Sequence, residues 1–212
     1  MARTLALFDF DGTLAPGDSI VSFVRFARRR GAMGRGDFLA VLGCTVKYLL
    51  RGMTDAQIKT RSLRFLHALS PEERESLAAD FVKEALLPKV CAAGRAAVER
   101  HRRSGHVTLL VSASTENYMH LVSDALGFDA VLCTPLEADL SVTRNCKGGE
   151  KARRVQMWLE ENGLEADWGA SWAYGDSKSD LPLLRLCGHP VLVNPKKALK
   201  RALPGAEEVH WH

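Results

Sequence analysis

Six residues scattered along this 212-residue chain would, if brought together, bind a metal ion and a phosphoryl group. Asp9 and Asp11 stand two apart in the stretch LALFDFDGTL (Leu5 to Leu14), at the end of an apolar run and directly before Gly12. Residues i and i+2 share one side of an extended chain, so the two carboxylates are expected to project together as that strand runs out. Carboxylates held so close repel, and the pair persists when a cation lies between them or one keeps its proton. Ser112 follows the apolar run Val107 to Val111, and Asp176, with Asp180 close behind, follows Trp172 to Tyr174. Lys151 lies near a helix start, behind Gly148-Gly149. Carboxylates make a hard-oxygen Mg²⁺ site, whereas a hydroxyl and an ammonium suit phosphate oxygens. Taken singly, each has a plainer explanation. Asp176 and Asp180 read as a helix N-cap and an acidic first turn, Ser112 as a strand terminator and Lys151 as an exposed helix lysine. Their conjunction, each at the end of an element, favours a shared site.

For these residues to meet, their elements must end at one edge. In open parallel sheets ligands bind at the carboxyl ends of the strands. Short continuous apolar runs at Leu5, Val107 to Val111, Ala130 to Cys133, Trp172 to Tyr174 and Val191 to Val193 alternate with helical stretches, the grammar of a parallel α/β sheet buried on both faces. Between the first run and Pro88 the pattern is helical only. Asp18 or Ser19 can cap a helix carrying Ile20, Phe23, Val24 and Ala27, and Phe38 to Leu50 reads as a second helix. Thr54-Asp55 opens a third, and Ser70-Pro71-Glu72-Glu73 is a helix start with proline in the first turn. The expected division is a sheet domain of residues 1–15 and 89–212 with a helical bundle, 16–88, inserted into it.

Composition narrows the partners. A formal charge of +4 with Lys and Arg spread in twos and threes, and aromatics at 7% that are not interleaved with them, argues against nucleic acid. A small phosphorylated metabolite fits that charge. Five widely spaced cysteines without a C-x-x-C suggest neither a disulfide framework nor a zinc site and point to a reducing, cytoplasmic setting. The N-terminal apolar run, broken by Asp9, is not a signal peptide, and no stretch reaches the roughly 18 apolar residues of a membrane span, so stable membrane insertion is not expected. The sequence sets no oligomeric state.

In this order, FDFDGTL, VSAS, NCKGGEK and GDSKSD resemble the four signature motifs of the haloacid dehalogenase (HAD) superfamily of phosphatases. The helical insertion after the first motif and the N-C-x-G-x-x-K form of the third are similar to subfamily IB, the branch that includes phosphoserine phosphatase. The resemblance implies a Rossmann-like α/β core, a C1-type cap and a Mg²⁺-dependent phosphomonoester hydrolase. It implies Asp9 as the nucleophile that forms an aspartyl-phosphate, and Asp11 as the acid for the leaving alcohol and then the base for water. Mg²⁺ would be held by Asp9, the Asp11 backbone carbonyl and Asp176. Ser112, Ala113 and Lys151 would hold phosphate oxygens, and Asp180 would support the metal site or position Lys151. A carboxylate attacks phosphorus without prior deprotonation, and a neighbour with a raised pKa serves as acid and then base.

Specificity would then reside in the insert. Asp18 stands where that branch has a glutamate that contacts the substrate amine; one methylene shorter, it either reads an amine at a different depth or caps the first insert helix. Arg61 or Arg64 would take the place of the branch's carboxylate-binding arginine. The segment Phe38 to Leu50 is apolar nearly all round, which suits the centre of the bundle, an apolar pocket wall or contact with a membrane surface. Amine-bearing phosphates such as phosphoserine or histidinol phosphate, lipid phosphates and a non-catalytic phosphate-sensing role all fit this reading.

Overall fold

The computed structural model describes residues 2–211. Strand β1 (Leu5–Phe8) is followed by four helices, α1 (Ser19–Arg29), α2 (Arg35–Leu49), α3 (Asp55–Leu63) and α4 (Pro71–Phe81). Then come α5 (Ala92–Arg103), β2 (Val107–Thr115), α6 (Glu116–Leu126), β3 (Ala130–Thr134) and α7 (Gly149–Glu161). The chain closes with β4 (Trp172–Gly175), α8 (Leu181–Leu184), β5 (His189–Val193), α9 (Lys197–Ala202) and β6 (Glu207–Val209). The six strands form one sheet in the order β3-β2-β1-β4-β5-β6, every pairing parallel. The strand order reverses beside β1, so the crevice at the carboxyl ends of β1 and β4 is where a ligand is expected.

All four residues of β1 are buried, and their alternation feeds two cores. Ala6 and Phe8 face an apolar cluster that includes Phe10, Phe23, Phe81 and Tyr118; Leu5 and Leu7 face a second with Leu109, Val155 and Leu192. The first cluster seats the helices that follow β1: the Phe23 ring lies 5.0 Å from that of Phe81 and 5.3 Å from that of Tyr118 on α6. Local chemistry sets the helix starts. Asp18 caps α1, its Oδ1 accepting from the amides of Ile20 and Val21, while Thr54 with Gln57 and Ser70 with Glu73 form capping boxes on α3 and α4.

The structure departs from the sequence reading in three places. Strand β1 ends at Phe8 instead of running on through Asp11, because the carbonyl of Phe10 accepts from the amides of Thr13, Leu14 and Ala15 and closes a tight turn. Strand β2 runs through Ser112 to Thr115, with an irregular register after Val111. Helix α2 is not the centre of the bundle. Only Val41 on it is buried, and Leu39, Leu49 and Leu50 are 66%, 72% and 78% exposed. Among the described residues no helix is long and apolar enough to cross a membrane.

Candidate active site

The turn after β1 delivers the two aspartates to different partners. The Asp9 amide donates to the carbonyl of Tyr174 (3.0 Å), which holds the residue between β1 and β4. Its buried carboxylate accepts from Lys151 Nζ on Oδ1 (2.5 Å) and from Thr13 Oγ1 on Oδ2 (2.9 Å). Asp11 turns toward the start of α1 and the end of β2. Its Oδ1 accepts from the Ser19 amide (2.8 Å) and its Oδ2 from Ser19 Oγ (2.9 Å) and Ser114 Oγ (2.5 Å). The Ser19 hydroxyl also lies 3.1 Å from the Tyr118 hydroxyl. Burial, with Asp18 nearby, pushes Asp11 up to about 6 against the hydrogen bonds that favour its ionised form, so near neutrality it exchanges a proton readily. Burial also raises Asp9, opposed by the Lys151 ammonium.

Gly12 makes the turn possible. Its φ of +86° suits glycine, and a Cβ there would stand 2.5 Å from Asp176 Oδ2. Gly12→Ala is therefore expected to lower stability by ~1–2 kcal/mol from backbone strain alone, read by urea unfolding. By displacing Asp176 it should also weaken the affinity of this carboxylate cluster for a divalent cation by about tenfold or more, read by metal titration of the protein.

Asp176 leaves β4 and Asp180 ends the 3₁₀ turn Lys178–Asp180. Asp180 is clasped from two sides: Oδ2 accepts from the Ser177 amide (3.2 Å) and hydroxyl (2.9 Å), and Oδ1 accepts from Lys151 Nζ (2.7 Å). Lys151, on the first turn of α7, is itself buried, so one ammonium bridges Asp9 and Asp180 out of water. Burial works against that charge, but the two carboxylates, Asp180 first, outweigh it and hold Lys151 above its ordinary pKa; Asp180, although buried, is held below its own by Lys151.

The donor set suits a divalent cation. Asp9, Asp176 and Asp180 each offer an oxygen, all within 4.8 Å of one another and all on buried residues. These are hard donors with excess negative charge, which Lys151 and Lys196 offset here; Lys196 Nζ lies 2.7 Å from Asp176 Oδ2. The Asp11 side chain stands outside this group, engaged by Ser19 and Ser114.

These residues line one cavity of about 930 Å³. Asp9, Asp11, Asp18, Ala113, Lys151, Asp176 and Asp180 all reach it, so the structure brings most of the expected set together. Two expected residues lie elsewhere. Ser112 is fully buried behind the cavity surface, its Oγ accepting from the Ser114 amide (3.0 Å), and Ala113 and Ser114 face the space instead. Arg61, with Arg64, lines a separate cavity between α3 and the 139–142 segment. Lys59 is the α3 cation on the site side, two residues and roughly 200° around the helix from Arg61. Its Nζ donates to the Ala113 carbonyl and to Asn145 Oδ1 (2.6 Å), and burial lowers it to about 8 against the pull of Asp18 and Asp55. From the sequence Ser19 reads only as a candidate helix cap, and Ser114, Lys59 and Asn145 are not singled out. Asn145 opens NCKGGEK and Ser114 closes VSAS, so spacing pointed near them; nothing in the sequence separated Lys59 from its neighbours. The far wall is apolar, with Ile20, Val24, Val41, Leu42 and Leu49 from α1 and α2.

The site thus combines carboxylates at the ends of β1 and β4 of a parallel sheet with a buried lysine between them. Residues 6–185 match the haloacid dehalogenase-like hydrolase family. A histidinol-phosphatase of Neisseria meningitidis serogroup C (strain 8013) is 30% identical over 218 residues, spanning 99% of this chain and 97% of the relative. The phosphoserine phosphatase SerB1 of Mycobacterium tuberculosis (strain H37Rv) is 27% identical over 92% of this chain and 66% of its own length. A Bordetella pertussis Tohama I protein of unknown function superposes over the whole of both chains with a TM-score of 0.87 at 27% identity. A phosphoserine phosphatase solved as a phospho-aspartyl intermediate analogue shares the fold, with a TM-score of 0.67 at 19% identity over 100% of this chain and 95% of that one. The chain belongs to the haloacid dehalogenase-like hydrolases, and within that family it stands among the phosphatases.

Proposed function

We propose that the protein hydrolyses the phosphate monoester of a small amine-bearing alcohol through a phospho-Asp9 intermediate, with histidinol phosphate a better fit than phosphoserine. The observation that carries the reaction is the buried Lys151 ammonium on both Asp9 and Asp180, beside Asp176. An Asp9 oxygen attacks phosphorus as the ester P–O bond breaks, and the leaving alkoxide takes the proton held by Asp11. Water then attacks the phospho-aspartate while Asp11 takes its proton back, releasing inorganic phosphate and restoring Asp9. Lys151 and Ala113, which both line the cavity, would hold the phosphoryl oxygens. Asp9, Asp176 and Asp180, with the Asp11 carbonyl, would hold Mg²⁺, whose charge offsets that of the phosphoryl group.

The leaving-group assignment is supported by charge. Asp18 uses one oxygen to cap α1 and lines the cavity, where a substrate ammonium can meet it. Neither arginine expected to bind a carboxylate reaches that space, and Lys59 is already engaged by Ala113 and Asn145. The arginine anticipated on α3 for a substrate carboxylate is therefore not at the site, where Arg25 of α1 is the guanidinium on the wall, whereas an apolar or aromatic body can pack on the α1 and α2 side chains. The test is a panel of phosphorylated metabolites with Mg²⁺, run on wild type and Asp18→Asn. Histidinol phosphate should give the higher kcat/KM, and the variant should lose about tenfold for amine-bearing esters while keeping its rate on p-nitrophenyl phosphate. Equal losses on both, or a preference for phosphoserine, would overturn the assignment.

A further inference from the structure

Helix α2 leaves a stripe of large apolar side chains in water. Leu39, Leu42, Val46, Leu49 and Leu50 recur at helical spacing and are each 48% or more exposed. Two of them, Leu42 and Leu49, also form the wall of the active-site cavity, so the stripe begins at the cavity mouth and continues outward over Leu39, Val46 and Leu50. Contiguous apolar surface of this kind marks an interaction site.

Charge identifies the occupant. A cleft of about 450 Å³ adjoins the stripe at Phe38, which lines both this cleft and the active-site cavity, and its charged walls are Arg25, Arg28, Arg29 and Lys89, with no acid among them. Arg35 stands one turn before Leu39, and Arg51 follows Leu50. Among the described residues none of these six cations is in a salt bridge, whereas the nearby Arg30 is paired with Glu84 and Asp80. On α2 itself the one acid is Asp37. A second copy of the chain docked through this face would set one basic rim against another. A surface with an apolar interior and anionic headgroups satisfies both parts at once.

We propose that α2 and the end of α1 dock on an anionic lipid bilayer, with the α2 leucines entering the headgroup boundary, the arginine cleft on the phosphates and the active-site mouth turned toward the membrane. This is peripheral docking of one helix face, distinct from insertion, and it stands on the surface alone, independent of which phosphate ester is hydrolysed.

The test is flotation of the full chain with vesicles of phosphatidylglycerol mixed into phosphatidylcholine, and with phosphatidylcholine alone. Wild type should bind the anionic vesicles at least about tenfold more strongly and lose that excess as salt rises. Leu39→Ser/Val46→Ser/Leu50→Ser, whose positions point away from the cavity, should release the protein while leaving p-nitrophenyl phosphate turnover unchanged. Arg28→Glu/Arg29→Glu should release it without touching the stripe, and Leu50→Ser alone should weaken binding if the triple variant does not fold. Absence of binding to anionic vesicles, or binding that survives both sets of substitutions, would overturn the proposal. So would a wild-type dimer by light scattering that Leu50→Ser converts to monomer, since the patch would then be a self-interface.

Discussion

Asp9→Asn is expected to cut p-nitrophenyl phosphate turnover by roughly 10⁴-fold or more while the protein stays folded. The amide keeps the shape of the carboxylate but has no oxygen nucleophilic enough to attack phosphorus. Its neighbours can adapt. The amide oxygen can accept from Lys151 in place of Oδ1, and the amide nitrogen can donate to the Thr13 hydroxyl, which rotates from donor to acceptor. Lys151 keeps its bond to Asp180, so its charge is not stranded. Burial disfavours the Asp9 charge, so removing it should leave the melting temperature within a few degrees of wild type or raise it. The checks are steady-state kinetics, a thermal melt, and intact-mass detection of a phosphorylated enzyme in wild type that is missing in the variant. Full activity in Asp9→Asn would remove Asp9 from the role of nucleophile, and a wild type that binds phosphate analogues without turnover would favour a sensing role.

How much of this was legible in the sequence depended on whether local signals and the fold agreed. Five strands were visible because buried parallel strands read as continuous apolar runs, and α4 because Ser70, Pro71 and Glu73 carry its cap. The sixth, Glu207–Val209, is a short polar edge strand paired on one side only, with no apolar run to announce it. The meeting of Asp9, Lys151, Asp176 and Asp180 was anticipated because all four lie at element ends on the ligand edge of such a sheet. What failed needed tertiary knowledge. The irregularity after Val111 turns Ser112 inward and presents Ala113 and Ser114. The rotation of α3 about its axis exposes Lys59 to the site and Arg61 to another cavity, a difference of two positions that composition does not encode. Hydrophobicity alone suits helix α2 to the bundle centre, a pocket wall or a membrane surface, and the structure removes the first of these by leaving its leucines exposed, with Leu42 and Leu49 on the cavity wall.

Lys151→Met should be the most destabilising single change at the site. Methionine roughly matches the lysine stem in volume, so packing is largely retained and the effect isolates the charge. In wild type one buried ammonium faces Asp9 and Asp180, with Asp176 close by; without it, three buried carboxylates confront one another with only the largely exposed Lys196 side chain beside Asp176. Breaking a buried pair by deleting one partner costs about 3–5 kcal/mol, because the remaining charge is uncompensated. The pH dependence follows in sign. Carboxylates deprived of their cation in a buried site have pKa values above those in the unfolded chain, so the variant is destabilised progressively as pH rises past about 4, and the loss is smaller in acid, where the carboxylates are protonated. Urea unfolding of both proteins near pH 5 and pH 7 checks this: the gap between their midpoints should widen at the higher pH. A divalent cation bound only by the folded state should narrow it again, since ligand binding to the native form adds stability of RT ln(1 + [L]/Kd). Addition of MgCl₂ should therefore raise the variant's midpoint more than that of wild type, where Lys151 already neutralises part of the cluster. If Mg²⁺ moved neither midpoint, the three converging carboxylates would not be a cation site, and the charge that balances them would be lysine alone.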